Sequence, residues 1–70
     1  MITTITDLRR LWPEWDFCKV SLGNSPVELV AERLRGERLV LSTMHWTGAA
    51  AAQALAEQLV AAGYEAKEKV

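Results

Sequence analysis

The sequence predicts a small two-layer α/β domain, with α+β as the close variant, in which helical and extended segments alternate. Two observations support this class. Apolar residues recur at the spacing of one helix face in three segments, and shorter alternating or continuously apolar runs lie between them. Each helical segment also begins at a capping residue, and the last two end at a glycine. The predicted order is α-β-α-β-α-β over one domain, residues 1–70.

The first predicted helix covers residues 5–12. Thr4 is its expected N-cap, and Asp7 lies three residues later, where a capping-box partner belongs. Pro13 ends the helix because it excludes the preceding residue from the helical conformation. A turn over residues 13–16 then leads to a predicted strand over residues 17–22.

The second predicted helix covers residues 26–35. Ser25, Pro26 and Glu28 stand where an N-cap, a first helical residue and a capping-box partner belong. The apolar residues of this segment share one helix face: Val27, Val30, Ala31 and Leu34. Gly36 follows, in the place of a left-handed residue that ends a helix.

An alternative interpretation makes residues 27–34 a strand, with a hairpin turn over residues 35–37. The order of elements then becomes α-β-β-β-α, which resembles that of double-stranded-RNA-binding domains. Such domains carry lysines at the start of their last helix, where this chain has Thr47, Gly48, Ala49 and Ala50. The resemblance therefore extends to the order of elements and not to the basic residues.

The second half of the chain predicts a strand, a helix and a final strand. Residues 38–44 are apolar on both faces at their centre, which is typical of the middle of a sheet. An alanine-rich helix over residues 48–62 follows, with Thr47 as its N-cap and with Gly63 and Tyr64 forming a Schellman ending. Residues 64–70 alternate apolar and charged side chains, as an edge strand does.

Right-handed crossovers between three parallel strands place both crossover helices on one face of the sheet. The first helix has no assigned place in this arrangement. The other face stays open, and the predicted strand phases assign it a half-apolar set of side chains: Phe17, Lys19, Val40, Ser42 and Met44.

Composition and charge narrow the range of functions that we expect of this chain. The net charge is −1 with basic residues scattered among acids, so general nucleic-acid binding is disfavoured. One cysteine and one histidine exclude an internal disulfide and disfavour a zinc site. No membrane span, leader segment or cofactor motif is visible, so we expect a cytoplasmic protein without cofactors.

The chemistry-bearing residues do not form a catalytic set, so we expect no enzyme. Cys18 is expected at the end of the sheet opposite His45 and as a small core residue. Anion binding is the alternative function, because two loops are expected to lead into helix N-termini at Ser25 and Thr47, where free N–H groups favour phosphate or nucleic acid. Its candidate residues are Gly23, Asn24, Ser25, His45, Thr47 and Gly48.

Three tryptophans in 70 residues are the most telling feature. They either close a thin core around the first helix or supply an exposed contact surface, since aromatic residues are enriched in interface hot spots. We predict a small non-enzymatic interaction module: an adaptor, regulator or inhibitor of a protein partner, phage-encoded inhibitors included, or a homodimer. The predicted contact residues are Trp12, Trp15, Lys19, Val40, Met44, Trp46 and Lys67.

Overall fold

The computed structural model describes residues 4–33 and 35–66 of the chain. The elements follow in the order α1 (Ile5–Leu11), β1 (Trp15–Val20), β2 (Val27–Arg33), β3 (Val40–His45) and α2 (Gly48–Ala61). The strands form one antiparallel sheet in the order β1-β2-β3. Both helices contribute to a single core against one face of this sheet, so the protein has a two-layer α+β fold.

The predicted second helix is wrong, because residues 27–33 form the central strand β2. Ser25 closes the turn before this strand, since its backbone N–H donates to the Leu22 carbonyl at 2.8 Å. Gly36 has φ +78° and serves the connection from β2 to β3 instead of ending a helix. The alternative order α-β-β-β-α is the one observed, because β2 pairs with a strand on each side.

The antiparallel pairing also replaces the predicted parallel sheet with its right-handed crossovers. Consecutive strands are joined by short connections at opposite ends of the sheet, as in a meander. The predicted final strand over residues 64–70 falls partly on residues 67–70, which lie outside the described residues. Residues 64–66 are irregular.

The predicted caps of both remaining helices are confirmed. The Thr4 hydroxyl accepts from the Asp7 backbone N–H at 3.2 Å, and the Thr47 hydroxyl accepts from that of Ala50 at 3.1 Å. At the end of α2, the Tyr64 N–H donates to the Leu59 carbonyl at 2.9 Å. This is the long hydrogen bond of a Schellman motif, and Gly63 at φ +97° supplies its left-handed residue.

The core lies between the helices and the odd-numbered residues of the strands. It is built from the following buried side chains: Leu8, Trp12, Trp15, Phe17, Leu29, Ala31, Ala51, Ala52, Leu55, Ala56 and Leu59. Small residues on α2 let the helix approach β2 and β3 closely. The Thr43 hydroxyl, buried in this layer, donates to the Ala51 carbonyl at 2.9 Å.

An aromatic cluster closes one end of the core. The rings of Trp15 and Tyr64 meet edge to face with centroids 5.2 Å apart, and the Arg33 guanidinium lies 5.3 Å from the Tyr64 centroid. Arg33 also donates to the Tyr64 hydroxyl at 3.2 Å, and the Trp12 indole donates to the Tyr64 carbonyl at 2.9 Å. These contacts join the end of α2 to α1 and to the beginning of the sheet.

Candidate interaction surface

The even-numbered residues of the strands form an open face, opposite the helices. Strand register arranges them in three rows of three. The rows are Asp16–Glu32–Val40 at the aromatic end, Cys18–Val30–Ser42 in the middle, and Val20–Glu28–Met44 at the far end. The residues of β1 and β3 on this face are exposed, whereas those of the central strand are half-buried between them. None of these nine side chains belongs to the core cluster.

Exposed apolar side chains concentrate at the far end of the open face. Val20, Leu22, Met44 and Trp46 are four of the six large apolar residues that are exposed in the described part of the chain, and we call them the apolar corner. Leu22, Met44 and Trp46 are 68%, 57% and 74% exposed. The strand register places the ends of β1 and β3 here, beside the start of β2.

A shallow pocket of about 250 Å³ lies in this corner. Val20, Leu22 and Met44 line it together with the turn residues Ser25 and Pro26 and the side chain of Glu28. The walls of the pocket are thus largely apolar, and a carboxylate stands at its margin. This arrangement suits a bulky apolar group that carries or adjoins a positive charge.

The open face is acidic as well as apolar. Asp16 and Glu32 are direct cross-strand neighbours, and like charges in that position repel each other. Arg38 offsets this repulsion in part through an ion pair with Glu32 at 3.1 Å. Glu28 lies between Val20 and Met44 in the row at the far end. The face consequently has more carboxylates than cations.

The predicted contact residues do not all lie on this face. Trp12 and Trp15 are only 4% and 6% exposed, so they are core residues and are no longer candidates for contact with a partner. Lys19 lies on the helix-covered side of β1, because its register partner is the buried Leu29. The prediction for Lys67 lies outside the described residues.

Three predicted contact residues are exposed on the open face or just beyond its end. Val40, Met44 and Trp46 are exposed, and the first two lie on the open face. Phe17 had been expected beside them, but it is buried under the helices. Cys18 had been expected in the core, but it is exposed in the middle row of the open face. Both errors come from one cause, because the phase of β1 is the reverse of the predicted one.

The residues predicted for anion binding lie at one end of the sheet, where only one of the two helix N-termini expected for them, that at Thr47, is formed. Gly23, Asn24 and Ser25 belong to the turn between β1 and β2, so the helix N-terminus expected at Ser25 is wrong. His45 ends β3, and Thr47 and Gly48 begin α2. The Thr47 hydroxyl already accepts one of the free N–H groups of that helix.

Both edges of the sheet are capped at their centre by helix side chains. Arg9 of α1 donates to the Phe17 carbonyl of β1 at 3.2 Å, and Gln58 of α2 donates to the Ser42 carbonyl of β3 at 3.1 Å. The Arg33 N–H donates to the Leu39 carbonyl, so the alternation of the antiparallel ladder directs the Ser42 carbonyl outwards. An added strand would have to displace these side chains.

Within residues 4–33 and 35–66, no group of three or more His, Cys, Asp or Glu side chains is arranged to hold a metal ion. No helix among these described residues has the length and hydropathy that crossing a membrane requires. Comparisons with known proteins find no matching family model, no similar curated protein and no similar solved structure. The candidate site is therefore interpreted from its own geometry and chemistry.

Sequence reasoning missed Val20, Leu22 and the acids of the open face. In the predicted strand over residues 17–22, Val20 and Leu22 share the face of Cys18, for which a place in the core is predicted. Alternation by itself does not say which face of a strand is covered. The acids Glu28 and Glu32 fall within the predicted helix over residues 26–35, which gives neither of them a place on a sheet face. A usable signal was present, since Val27, Leu29 and Ala31 alternate with Glu28, Val30 and Glu32.

Proposed function

We propose that this protein is a non-enzymatic interaction module that binds a protein partner through the open face of its sheet. The apolar corner carries this proposal. A chain of 70 residues exposes Leu22, Met44 and Trp46 at or just beyond the ends of β1 and β3, on a sheet face that no element of the described chain covers. Exposed apolar patches of this kind mark interaction sites in soluble proteins.

The chemistry of the face supports a protein partner. Tryptophan and methionine are enriched at the centres of protein interfaces, whereas lysine, aspartate and glutamate are depleted there. Trp46 and Met44 have the character of an interface centre, and the acids of the open face have that of a polar margin. The neighbouring turn residues Ser25 and Pro26 give the corner the concave shape that an anchor side chain requires.

Phosphate or nucleic-acid binding has less support and is not proposed. Its two expected helix N-termini are reduced to the one at Thr47. The open face carries Asp16, Glu28 and Glu32, and carboxylates repel the phosphate backbone. The first residues of α2 are Gly48, Ala49 and Ala50, with no basic side chain among them.

An affinity capture with matched baits tests the proposal. The wild-type protein, a Met44→Lys/Trp46→Ala variant and a Val60→Lys control are immobilised and exposed to lysate. Val60 is a large exposed apolar residue on α2, away from the open face, so the control adds a charge without altering the proposed site. We expect a stoichiometric protein on the wild type and on the control, and its loss from the variant.

The thiol of Cys18 supplies a second readout. Cys18 is the only cysteine of the chain and lies exposed in the middle row of the open face. A bound partner should slow its modification by a thiol reagent. Equal capture by all three baits, or a captured protein that leaves the rate of modification unchanged, would contradict docking on this face. Circular dichroism verifies that each bait is folded.

A further inference from the structure

The excess of carboxylates on the open face indicates which partner would fit it. Asp16 and Glu32 face each other across two strands, and Glu28 stands in the apolar corner. Among the described residues, Arg38 is the one basic side chain that pairs with a carboxylate of this face, and it is itself largely exposed. Interfaces tend to match opposite potentials, so a cationic partner would relieve the repulsion that the free protein retains.

The dimensions of the face match a single helix. A strand of six residues, such as β1 or β3, is about 20 Å long, and three strands place the outer two about 10 Å apart. An α-helix is about 10–12 Å wide and covers 20 Å with about 13 residues. A helix on this face would give the sheet its second helical layer, which is a stable arrangement of sheet and helices.

The two ends of the open face differ in character along the direction of the strands. The apolar corner and the Asp16–Glu32 pair are separated by four residues of β1, or about 13 Å. On a helix that distance corresponds to between two and three turns. A matching ligand therefore has a large apolar anchor near one end and its basic residues clustered near the other, with further basic residues beside Glu28.

We propose that the open face binds a basic amphipathic helix of a partner protein, with its apolar stripe on the sheet and Lys or Arg side chains on Glu28, Glu32 and Asp16. This inference rests on the proposed function and specifies the chemistry of the partner. Charge argues against a second copy of the chain in the same place. Two such faces packed together would bring the carboxylates of both copies into one interface, and juxtaposed like charges oppose association.

A displayed library of random peptides, long enough for about four helical turns, provides the probe. Three baits are used: the wild type, a Glu28→Lys/Glu32→Lys variant, and a Glu14→Lys/Glu57→Lys control. Glu14 and Glu57 are exposed and lie outside the open face, so the control has the same change in net charge. Circular dichroism and urea unfolding establish that the baits are folded.

We expect the wild type to enrich peptides with a net positive charge and helical apolar spacing. The affinity of the best peptide should fall about tenfold or more for the open-face variant, which corresponds to about 1.4 kcal/mol, and should stay within about twofold for the control. The same peptide should slow the modification of Cys18 and should bind more weakly at high salt.

Other results would overturn the inference in distinguishable ways. The enriched peptides are also tested on the Met44→Lys/Trp46→Ala variant. If they are neutral or acidic and fail to bind this variant, the partner is not a basic helix, but docking on the open face would still stand. Peptides that bind all baits equally and leave Cys18 reactive would count against the face itself. Failure to enrich any peptide would exclude a linear helical ligand, and the lysate capture would then decide the proposed function independently.

Discussion

The two faces of the sheet are made by the same three strands, yet they have opposite character. On the covered face, the middle row is Phe17, Ala31 and Leu41, and it packs under both helices. The residues next to these, Cys18, Val30 and Ser42, form the middle row of the open face. The helices are thus the feature that distinguishes the faces, because each strand supplies apolar residues to both.

The comparison shows where the domain tolerates charge. Among the described residues, the one buried polar side chain of the covered face is Thr43, and it donates to a helix carbonyl. The open face instead places Glu28 and Glu32 on the central strand, flanked by neighbours on both sides. The charged groups of the open face stay within reach of water or a partner, and on the covered side Lys19 and Arg33 lie outside the buried core.

The largest expected difference between the faces is at two adjacent positions of β2. Leu29→Ala removes a fully buried side chain and should cost about 2–5 kcal/mol. A domain of this size rarely has more than about 5 kcal/mol in total, so this variant should be largely unfolded. Val30→Ala on the open face should cost only about 1 kcal/mol. Urea unfolding followed by circular dichroism measures both, and equal losses would contradict the assignment of the faces.

A smaller difference is expected at two adjacent polar positions of β3. Thr43→Val keeps the shape of the side chain but removes the hydrogen bond to Ala51, so stability should fall by about 1 kcal/mol. In a domain of this size, the melting temperature should then drop by about 4–8 °C. Ser42→Ala on the open face is the control and should change stability by less than about 0.5 kcal/mol. A larger loss for Ser42→Ala would place the polar contact on the wrong face.

The smallest effect concerns the charges of the open face. Arg38→Ala leaves Asp16 and Glu32 opposed without their cation and should cost less than about 1 kcal/mol at low salt. The loss should disappear at high salt, because ions screen exposed charges, and Asp16→Asn should restore stability in the Arg38→Ala background. Thermal unfolding at two salt concentrations measures this, and a loss independent of salt would indicate packing by the Arg38 stem.

Helices whose ends are marked by a capping threonine, a proline or a glycine could be predicted from the sequence. The limits of α1 and α2 follow from Thr4, Pro13, Thr47 and Gly63, and the structure places them within a residue of the prediction. A strand was predicted over residues 38–44, and β3 is observed at residues 40–45. Its predicted place in the middle of the sheet is wrong, because β2 takes that place and β3 lies at an edge. The signals at the helix ends are local, so a sequence states them directly.

The identity of β2 could not be decided locally. Residues 27–33 satisfy helical spacing through Val27, Val30 and Ala31, and strand alternation through Val27, Leu29 and Ala31. Pairing with the neighbouring strands decides between helix and strand. A helix at residues 27–33 would leave β1 and β3 without the strand that lies between them and pairs with both. The phase of β1 was misjudged for a related reason. Trp15 and Phe17 bury more apolar area than Cys18 and Val20, and the covered face takes the larger pair.

The candidate site was predictable in part. The exposure of Met44 and Trp46 is as expected for a contact surface, whereas Trp12 and Trp15 belong to the core. The acids of the open face depended on the identity of β2, so no sequence argument that made residues 26–35 a helix would place them there. Whether the surface binds a protein stays a prediction that the capture experiment decides.

The side chains of Arg9 and Gln58 have a consequence for how many neighbours the domain can have. They occupy the central carbonyl on either side of the sheet, so a strand added at either edge would first have to displace them. The helices cover one face of the sheet, and the described residues leave the other face open. If the proposed partner docks there, we expect a complex of one to one, because the chain then presents a single docking face.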